Sequence, residues 1–417
     1  MDKIAIIGSG ISGLGCAHFL HKHHDLTIFE ASEQIGGHSN TICVNESGRE
    51  VPIDTGFMVY NEVTYPHLTR LFKELNVSTK PTAMSFSVHH GPSGVEWNGG
   101  GFNQLFAQRK NLFSPRHWRF LLQLNRFNTE AVAALNDPLY QTMTLEDYVA
   151  ARGYGQDLIE RYLVPMGGAV WSTPPDKMLN FPAMTLLRFW HNHGFLGLNT
   201  QHPWRTVVGG SREYVKRLTI PFADRIHLKT PVKSVRRFSD GIEISTENFG
   251  PQRFDKVIMS AHADQSLRML ADPTAREMEI LSQFKFQPNK THLHTSEKFM
   301  PKTRLCWAAW NYRSNAANDT TTHYWMNELQ GCSDKVNYFV SLNANVPAEA
   351  VCKEIDYEHP LFDLTAMAAQ KEVPALNDLA GRTFYAGAWT RYGFHEDGLL
   401  SAVNVCEKLL GADPWQS

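Results

Sequence analysis

No stretch of this 417-residue chain approaches the ~18 consecutive apolar residues that a membrane span requires. Charge of either sign is not in excess: 40 Lys+Arg against 42 Asp+Glu leave a formal net charge of −2. No global field therefore recruits nucleic acid, and no nucleic-acid partner is expected. Cysteine is sparse. Cys16, Cys43, Cys306, Cys332, Cys352 and Cys406 are scattered and form no C-x-x-C, which argues against a zinc site and a disulfide framework and fits a reducing compartment. The 19 histidines contain no H-E-x-x-H or comparable spacing, so no metal site is expected. Internal repeats and low-complexity tracts are lacking too. The N-terminus runs straight into an apolar stretch without a signal-peptide pattern, and the expected location is cytoplasmic. The apolar content of 42% supplies a sizeable core, and the length suggests two or three domains.

What is present begins at the N-terminus. Ile4, Ala5, Ile6 and Ile7 form an apolar run ending at Gly8, the pattern of a buried parallel strand. Gly8, Gly10 and Gly13 then spell G-x-G-x-x-G. The first glycine allows a tight turn, the second lets backbone approach a pyrophosphate, and the third lets a helix pack on the strand. Residues 12–22 continue as a helix whose N-terminal N–H groups and dipole would face phosphate. A second strand, 26–29, ends at Glu30, where an acid accepts hydrogen bonds from a ribose. Glu30 argues against a 2′-phosphate and so against NADP.

Farther along, the pattern predicts a hairpin over 41–53 and helices over 64–75, 115–135, 144–152 and 181–193, with Thr144 and Asp147 forming a capping box. A helix over 156–163 is stopped by Pro165. Strands 85–89 and 95–97 flank a Gly-Pro-Ser-Gly turn. Gly209-Gly210 introduces a helix with Ser211 at its N-cap. Strands follow at 232–236, 241–245, 254–260, 291–295, 305–312, 322–326 and 337–342. A helix over 361–370, a strand over 383–389 and a helix over 398–410 complete the chain.

Glu30-Ala31, Gly36-Gly37 and Asp54-Thr55-Gly56-Phe57 give E-A-x-x-x-x-G-G followed by D-x-G. This resembles the flavin-containing amine oxidase and phytoene desaturase superfamily. The block FYAGAWTRYGFHEDGLLSA at 384–402 resembles its terminal flavin motif. H-S-N after Gly37, F-W-H-N-H-G at 189–194, W-R-T-V-V-G-G-S at 204–211 and G-F-H-E-D-G at 393–398 resemble one bacterial branch of FAD-binding, amine-oxidase-like proteins. That module is similar to the N-terminal portion of plant cyclopropane fatty acid synthases. The resemblance implies an α/β fold: a Rossmann-like, glutathione-reductase-like FAD-binding domain interleaved with a mixed α+β substrate domain. The first is expected from 1–60, 204–262 and 376–417, the second from 61–203 and 263–375. It implies FAD contacts from Gly8, Ser9, Gly10, Ile11, Ser12, Gly13, Glu30, Ala31, Gly36, Gly37, His38, Thr55, Gly56 and Phe57. The backbone at Val232 would meet adenine, and Gly387, Ala388, Gly398, Leu399 and Leu400 would meet the flavin.

Two departures qualify what the resemblance implies. His38 stands where many members have arginine, and Ala388 where many have an acid, so amine oxidation specifically does not follow. No cysteine lies between Gly387 and Gly398, so the FAD is expected to be non-covalent. Chemistry on the substrate side has three candidates. Lys290 resembles the lysine that holds a water at flavin N5 in many amine oxidases. His294 shares with His292 one face of a predicted strand, a face that looks either at the flavin or at solvent. Trp389 closes the terminal strand. The expected function is an FAD-dependent oxidoreductase that removes hydride from an apolar or fatty-acyl substrate. An amine oxidase, a flavin isomerase and a non-catalytic partner of a lipid-modifying methyltransferase are the alternatives. Residues 109–127 mix Arg109, Lys110, Arg116, Arg119 and Arg126 with Phe113, Trp118, Leu121 and Leu122. They read either as a core-packing helix with a basic edge or as a transient membrane-surface contact.

Overall fold

Period-two alternation along the isoleucine run sends its side chains into two separate cores. The computed structural model describes residues 1–197, 200–315, 320–379 and 381–416. In it Lys3–Ile7 is the middle strand of a five-stranded parallel sheet, flanked on one side by Asp25–Phe29 and Ile226–His227 and on the other by Lys256–Met259 and Thr383–Tyr385. Ile4 and Ile6, with Ile28, Ile258 and Phe384, pack on one face beneath the helices Ile11–Leu20 and His395–Leu410. Ala5 and Ile7, with Phe29, Val257 and Met259, pack on the other beneath the antiparallel sheet of Val232–Phe238, Gly241–Thr246 and Gln252–Phe254 and the helices Ala263–Met269 and Ala275–Leu281. A sheet covered on both faces tolerates an all-apolar strand, which is why the run carries no polar alternation.

All five parallel strands fall within 1–60, 204–262 and 376–417. The second large sheet is built from the intervening segments. Its seven strands run in the order Val351–Leu361, Lys285–His294, Phe339–Leu342, Thr320–Trp325, Trp310–Ser314, Phe86–His90, Val95–Asn98. All its pairings are antiparallel except Trp310–Ser314 with Phe86–His90. Helices from 102–192, the longest being Pro115–Ala134, pack beside it. The limit placed at 203/204 runs through a small sheet, because Trp204–Val207 pairs with Tyr60–Asn61 and Thr79–Thr82.

Four local expectations are corrected. Pro165 does not stop a helix. Gln156–Leu158 continues through a π-helical turn, Ile159–Leu163, into Val164–Trp171. The wider turn accommodates the missing proline N–H without ending the helix. Ser211 sits at the N-cap without capping, because its N–H and hydroxyl both go to buried Asp54, 2.8 Å each to Oδ1. The stretch 254–260 is split between two sheets at Asp255, whose carboxylate takes the Lys3 N–H at 2.7 Å. The strand expected at 305–312 is a 3₁₀ turn, Arg304–Cys306, followed by Trp310–Ser314. The edge strand Val351–Leu361 is unanticipated, although Ile355, Tyr357, His359 and Leu361 alternate with Glu354, Asp356 and Glu358. Pro360 masks that pattern and is tolerated because the strand lies at the sheet edge.

Helix Ile11–Leu20 can lie so close to the strand ends only because of glycine. A Cβ at Gly13 would overlap the Gly8 carbonyl and press on Ser260 Oγ at 2.7 Å, whereas one at Gly10, whose φ is −69°, meets nothing within 4 Å. Gly13→Ala is therefore expected to cost about 3 kcal/mol of stability through overpacking, the upper end of the usual range, and Gly10→Ala no more than ~1 kcal/mol. Urea unfolding of the two variants checks this; equal midpoints would contradict it.

Candidate functional site

Three loops meet at the carboxyl ends of strands Lys3–Ile7 and Asp25–Phe29. The first runs through Gly8, with φ +104°, to Gly10 at the start of helix Ile11–Leu20. The Leu14 N–H bonds to the Gly10 carbonyl at 2.9 Å. The N–H groups of Ile11, Ser12 and Gly13 precede it and have no partner within the helix, so they carry the positive end of its dipole. The second loop begins at Glu30. Its carboxylate accepts from Ser9 N–H at 2.8 Å, Ser9 Oγ at 2.6 Å and Ser32 N–H at 2.8 Å. A carboxylate has about four acceptor positions, so capacity for a hydroxyl remains. Gly36 bonds back to the Ser9 carbonyl at 3.0 Å, and a Cβ on Gly37 would lie 3.2 Å from Gly10 Cα. The two loops thus touch. The third loop, Thr55 to Phe57, is held by the Phe57 N–H on the His38 carbonyl at 2.7 Å.

The edge strand Val351–Leu361 closes this ring of loops from above. The Tyr357 hydroxyl takes the Asn40 amide at 3.0 Å and pairs with Thr55 Oγ1 at 2.8 Å, and its ring stacks on His38 at 4.8 Å between centroids. His359 lies 5.3 Å from His38. His395 stacks on Phe57 at 3.9 Å and bonds Ser39 Oγ and the Tyr214 hydroxyl at 3.0 and 2.6 Å. Burial pushes His38 down to about 4 and His359 and His395 to about 3. These imidazoles are neutral at pH 7.

The loops line a cavity of about 1080 Å³. It also reaches an aromatic group: Trp171, Phe189 and Phe394, with ring centroids 4.7–6.3 Å apart, and Tyr65, Phe195 and Trp204, where Trp204 lies within 6.3 Å of both others. Trp310 and Tyr324 add a perpendicular pair at 4.9 Å. Among the described residues, lysine, arginine and carboxylate side chains in the lining come only from Glu30, Lys233, Arg268, Asp356 and Glu358. None belongs to the aromatic group.

Of the anticipated residues, Gly8, Ser9, Gly10, Ile11, Ser12, Glu30, Ala31, Gly37, His38, Thr55, Gly56, Phe57, Val232, Gly387, Ala388 and Trp389 line the cavity together. Gly13 and Gly36 lie just behind it as packing positions. Gly398 is also behind the wall, where a Cβ would sit 2.7 Å from Ile11 Cγ2. Leu399 is buried against Gly15 and Leu400 follows it in the helix, so neither lines the cavity.

The structure places Lys290 and His294 outside the cavity, which corrects both expectations. Thr291 lines it, so by alternation 290, 292 and 294 point to the opposite face of the sheet. There Lys290 is exposed and ion-paired to Glu354 at 2.7 Å, and His292 bonds the same carboxylate at 3.1 Å. His294 is buried, with Nε2 on Ser341 Oγ at 2.7 Å. Trp389 is at the cavity, but its indole N–H is engaged with the Ala261 carbonyl at 3.2 Å, so it serves as a wall. The pattern-based reading misses Asn40, Tyr357, His359 and most of the aromatic group. Only the 354–361 alternation offered a signal for the second and third of these.

A long dinucleotide cradle joined to an aromatic chamber defines a nucleotide-dependent redox fold. Residues 11–333 match the family described as flavin containing amine oxidoreductase, and the chain belongs to that family. It is 23% identical over 253 residues to the flavin-containing amine oxidase A of Bos taurus and 24% to that of Canis lupus familiaris, the match covering 60% of this chain and 47% of each relative. The matched stretch thus spans about half the length of these curated relatives. Among solved structures, a triple mutant of putrescine oxidase aligns with a TM-score of 0.71 at 15% identity over 98% of this chain and 99% of that one. Cyclohexylamine oxidase from Brevibacterium oxydans gives 0.69 at 16% over 98% and 99%. The CLA-producing fatty acid isomerase from P. acnes gives 0.69 at 14% over 96% and 97%. These likenesses show the fold. The residues present fit the family's flavin: open space above Gly10, unpaired helix N–H groups, and a carboxylate with acceptor capacity left.

The neutral imidazoles have a consequence for pH. His38, His359 and His395 have folded pKa values below the unfolded 6.5. Their contribution is whole above pH ~6.5 and is lost as pH falls toward 4, because the unfolded chain then binds protons that the native chain refuses. Buried Asp397, raised to about 7, and Asp54 and Glu396, also raised by burial, act in the opposite sense over part of that range. His18, His193 and His294, which burial pushes down to about 4, and His323, pushed to about 3, add to the three imidazoles here. Urea unfolding at pH 7 and pH 5 is expected to show lower stability at pH 5; a flat or rising profile would contradict it.

Proposed function

We propose that this chain holds FAD non-covalently along the cradle and oxidises an apolar, acyl-type substrate lodged among the aromatic side chains. The observation that carries the reading is the chamber itself: aromatic and, among the described residues, free of lysine, arginine and carboxylate side chains. An alkylammonium placed there would lose hydration worth several kcal/mol. The aromatic faces would return only ~2 kcal/mol by cation–π contact, with no carboxylate among the described residues of the group to make up the rest. The lysine that would have supported an amine-oxidase reading is on the protein surface.

When bound, the flavin supplies hydride acceptance at N5. The residues of this chain bind, orient and exclude water. Glu30 offers acceptor capacity to a ribose, and the N–H groups of Ile11 to Gly13 offer dipole and donors to a pyrophosphate. Tyr357, Asn40 and Thr55 lock the loops on which the isoalloxazine would rest. Trp171, Phe189, Phe195 and Trp204 exclude water from the substrate side. No cysteine appears among the described residues lining the cavity, and Cys406 is buried beside the Cys16 carbonyl. Both observations support a flavin without a thioether link.

Acid precipitation is expected to release the flavin into the supernatant; colour kept in the pellet would refute non-covalent binding. Glu30→Ala is expected to weaken FAD by ~1–3 kcal/mol, read by equilibrium dialysis. Under anaerobic conditions, unsaturated and saturated fatty acids or their esters are expected to bleach the flavin spectrum, and alkylamines are not. Bleaching by amines alone would overturn the substrate class. Double-bond migration without bleaching would make the protein an isomerase, and complex formation with a lipid-modifying methyltransferase without turnover would make it a non-catalytic partner.

A further inference from the structure

The stretch from Phe102 to Leu122 presents large apolar side chains outward. Phe113 is 88% exposed, Leu122 68%, Phe102 65% and Trp118 41%. They form one patch. Phe102 and Trp118 both pack on buried Phe106, at 4.8 and 4.9 Å between ring centroids, and the Trp118 indole N–H is fixed on the Leu112 carbonyl at 2.8 Å, beside Phe113. Leu122 follows Trp118 by one turn on the same face of Pro115–Ala134, while His117, Phe120 and Phe127 hold the opposite face in the core. The helix therefore has a packed side and, among the described residues, an unpartnered side.

Cations surround the unpartnered side. Among the described residues Arg109 is bound to neutral acceptors only, the Asn103 side chain at 2.7 Å and the Phe106 and Asn103 carbonyls at 3.0 and 3.3 Å, and no carboxylate among them pairs with it. Lys110 and Arg119 form no ion pair among the described residues. The nearby carboxylates are engaged elsewhere: Asp157 with Arg116 at 2.7 Å and Arg161 at 3.1 Å, and Glu130 with Arg126 at 2.9 Å and Arg152 at 2.7 Å.

We infer that this patch is a docking surface for an anionic lipid bilayer. Protruding rings set among uncompensated lysine and arginine match an interface that is apolar below and negatively charged above. Two features separate it from a protein interface. Phe113 stands clear of the surface, as an inserting anchor does. A second copy seated across a two-fold axis would set this patch, with Arg109, Lys110 and Arg119, against the same basic patch of its partner. No helix among the described residues is long and apolar enough to cross a membrane, so contact through this patch is peripheral and reversible. The inference rests on the surface alone and stands apart from the reading of the cavity.

Each cation near an anionic surface strengthens partition about fivefold, so three distinguish anionic from neutral vesicles on the order of 100-fold. The test is co-sedimentation of the full chain with phosphatidylcholine vesicles and with phosphatidylcholine–phosphatidylglycerol vesicles, at low and high salt. Binding only to the anionic vesicles, lost at high salt, is expected. Lys110→Glu/Arg119→Glu and, separately, Phe113→Ser/Leu122→Asn are each expected to reduce it by at least about tenfold. All four positions are exposed, and unchanged melting and flavin content confirm folding. Equal binding to both vesicle types, binding to neither, or retention by both double variants would overturn the proposal. So would concentration-dependent self-association that Phe113→Ser/Leu122→Asn abolishes, which would make the patch a contact between copies.

Discussion

Close approach of helix Ile11–Leu20 to its surroundings is the constraint from which the rest of the site follows. Its N-terminal turn touches the strand ends at Gly13 and the terminal helix where Gly398 meets Ile11. Side chains at these points would lift the helix and withdraw its free N–H groups from the cavity. Because Gly15 admits Leu399, the first and last helices share one core, and sequence segments hundreds of residues apart become one wall. The loops at Gly36-Gly37 and Thr55–Phe57 can then close only over the surface this contact creates.

Electrostatics around the cradle differ from what an arginine at position 38 would give. A guanidinium brings a permanent charge and a forked pair of donors. His38 is held neutral by burial among Tyr357, His359 and His262, so it offers one donor at most and no charge. A pyrophosphate laid there meets its positive field from the helix N-terminus and from backbone N–H groups. Such groups are fixed by the fold and do not titrate. Neutral imidazoles packed around them keep the region dry, which strengthens those fixed dipoles.

Elements that declare themselves by local chemistry were legible in the sequence. The isoleucine run and the Thr144 capping box each carry their cause within a few residues, and each takes its expected form. The glycine spacing and Glu30 were equally visible, and they come together at the cavity. Facing was not legible. Residues 291–295 read as a strand and the structure extends it back to Lys285, but which side looks at the cavity depends on pairing with 339–342 and 351–361, and that pairing turns Lys290 and His294 away from it. The aromatic chamber was illegible for the same reason. Trp171, Phe189, Trp204, Trp310 and Phe394 come from five separate elements, and nothing local to any of them says that they converge. Asp54 shows the converse. Its D-x-G context was visible, but its role in binding Ser211 and Gln330 beneath the loop, alongside Thr41, depends on chain that arrives much later.

The π-turn at Ile159–Leu163 has a consequence for how this chamber changes over evolutionary time. A π-turn holds one more residue than the α-turn it replaces, so the helix beyond it is phase-shifted by about 100° relative to an uninterrupted α-helix. Val170, Trp171 and Ser172 reach the cavity from that shifted half. Losing one residue within 159–163 would restore α-phase and rotate the whole wall segment at once, presenting different side chains with no substitution among them. A one-residue change in length at this turn would thus alter the chamber wall more than any single replacement within Val164–Trp171.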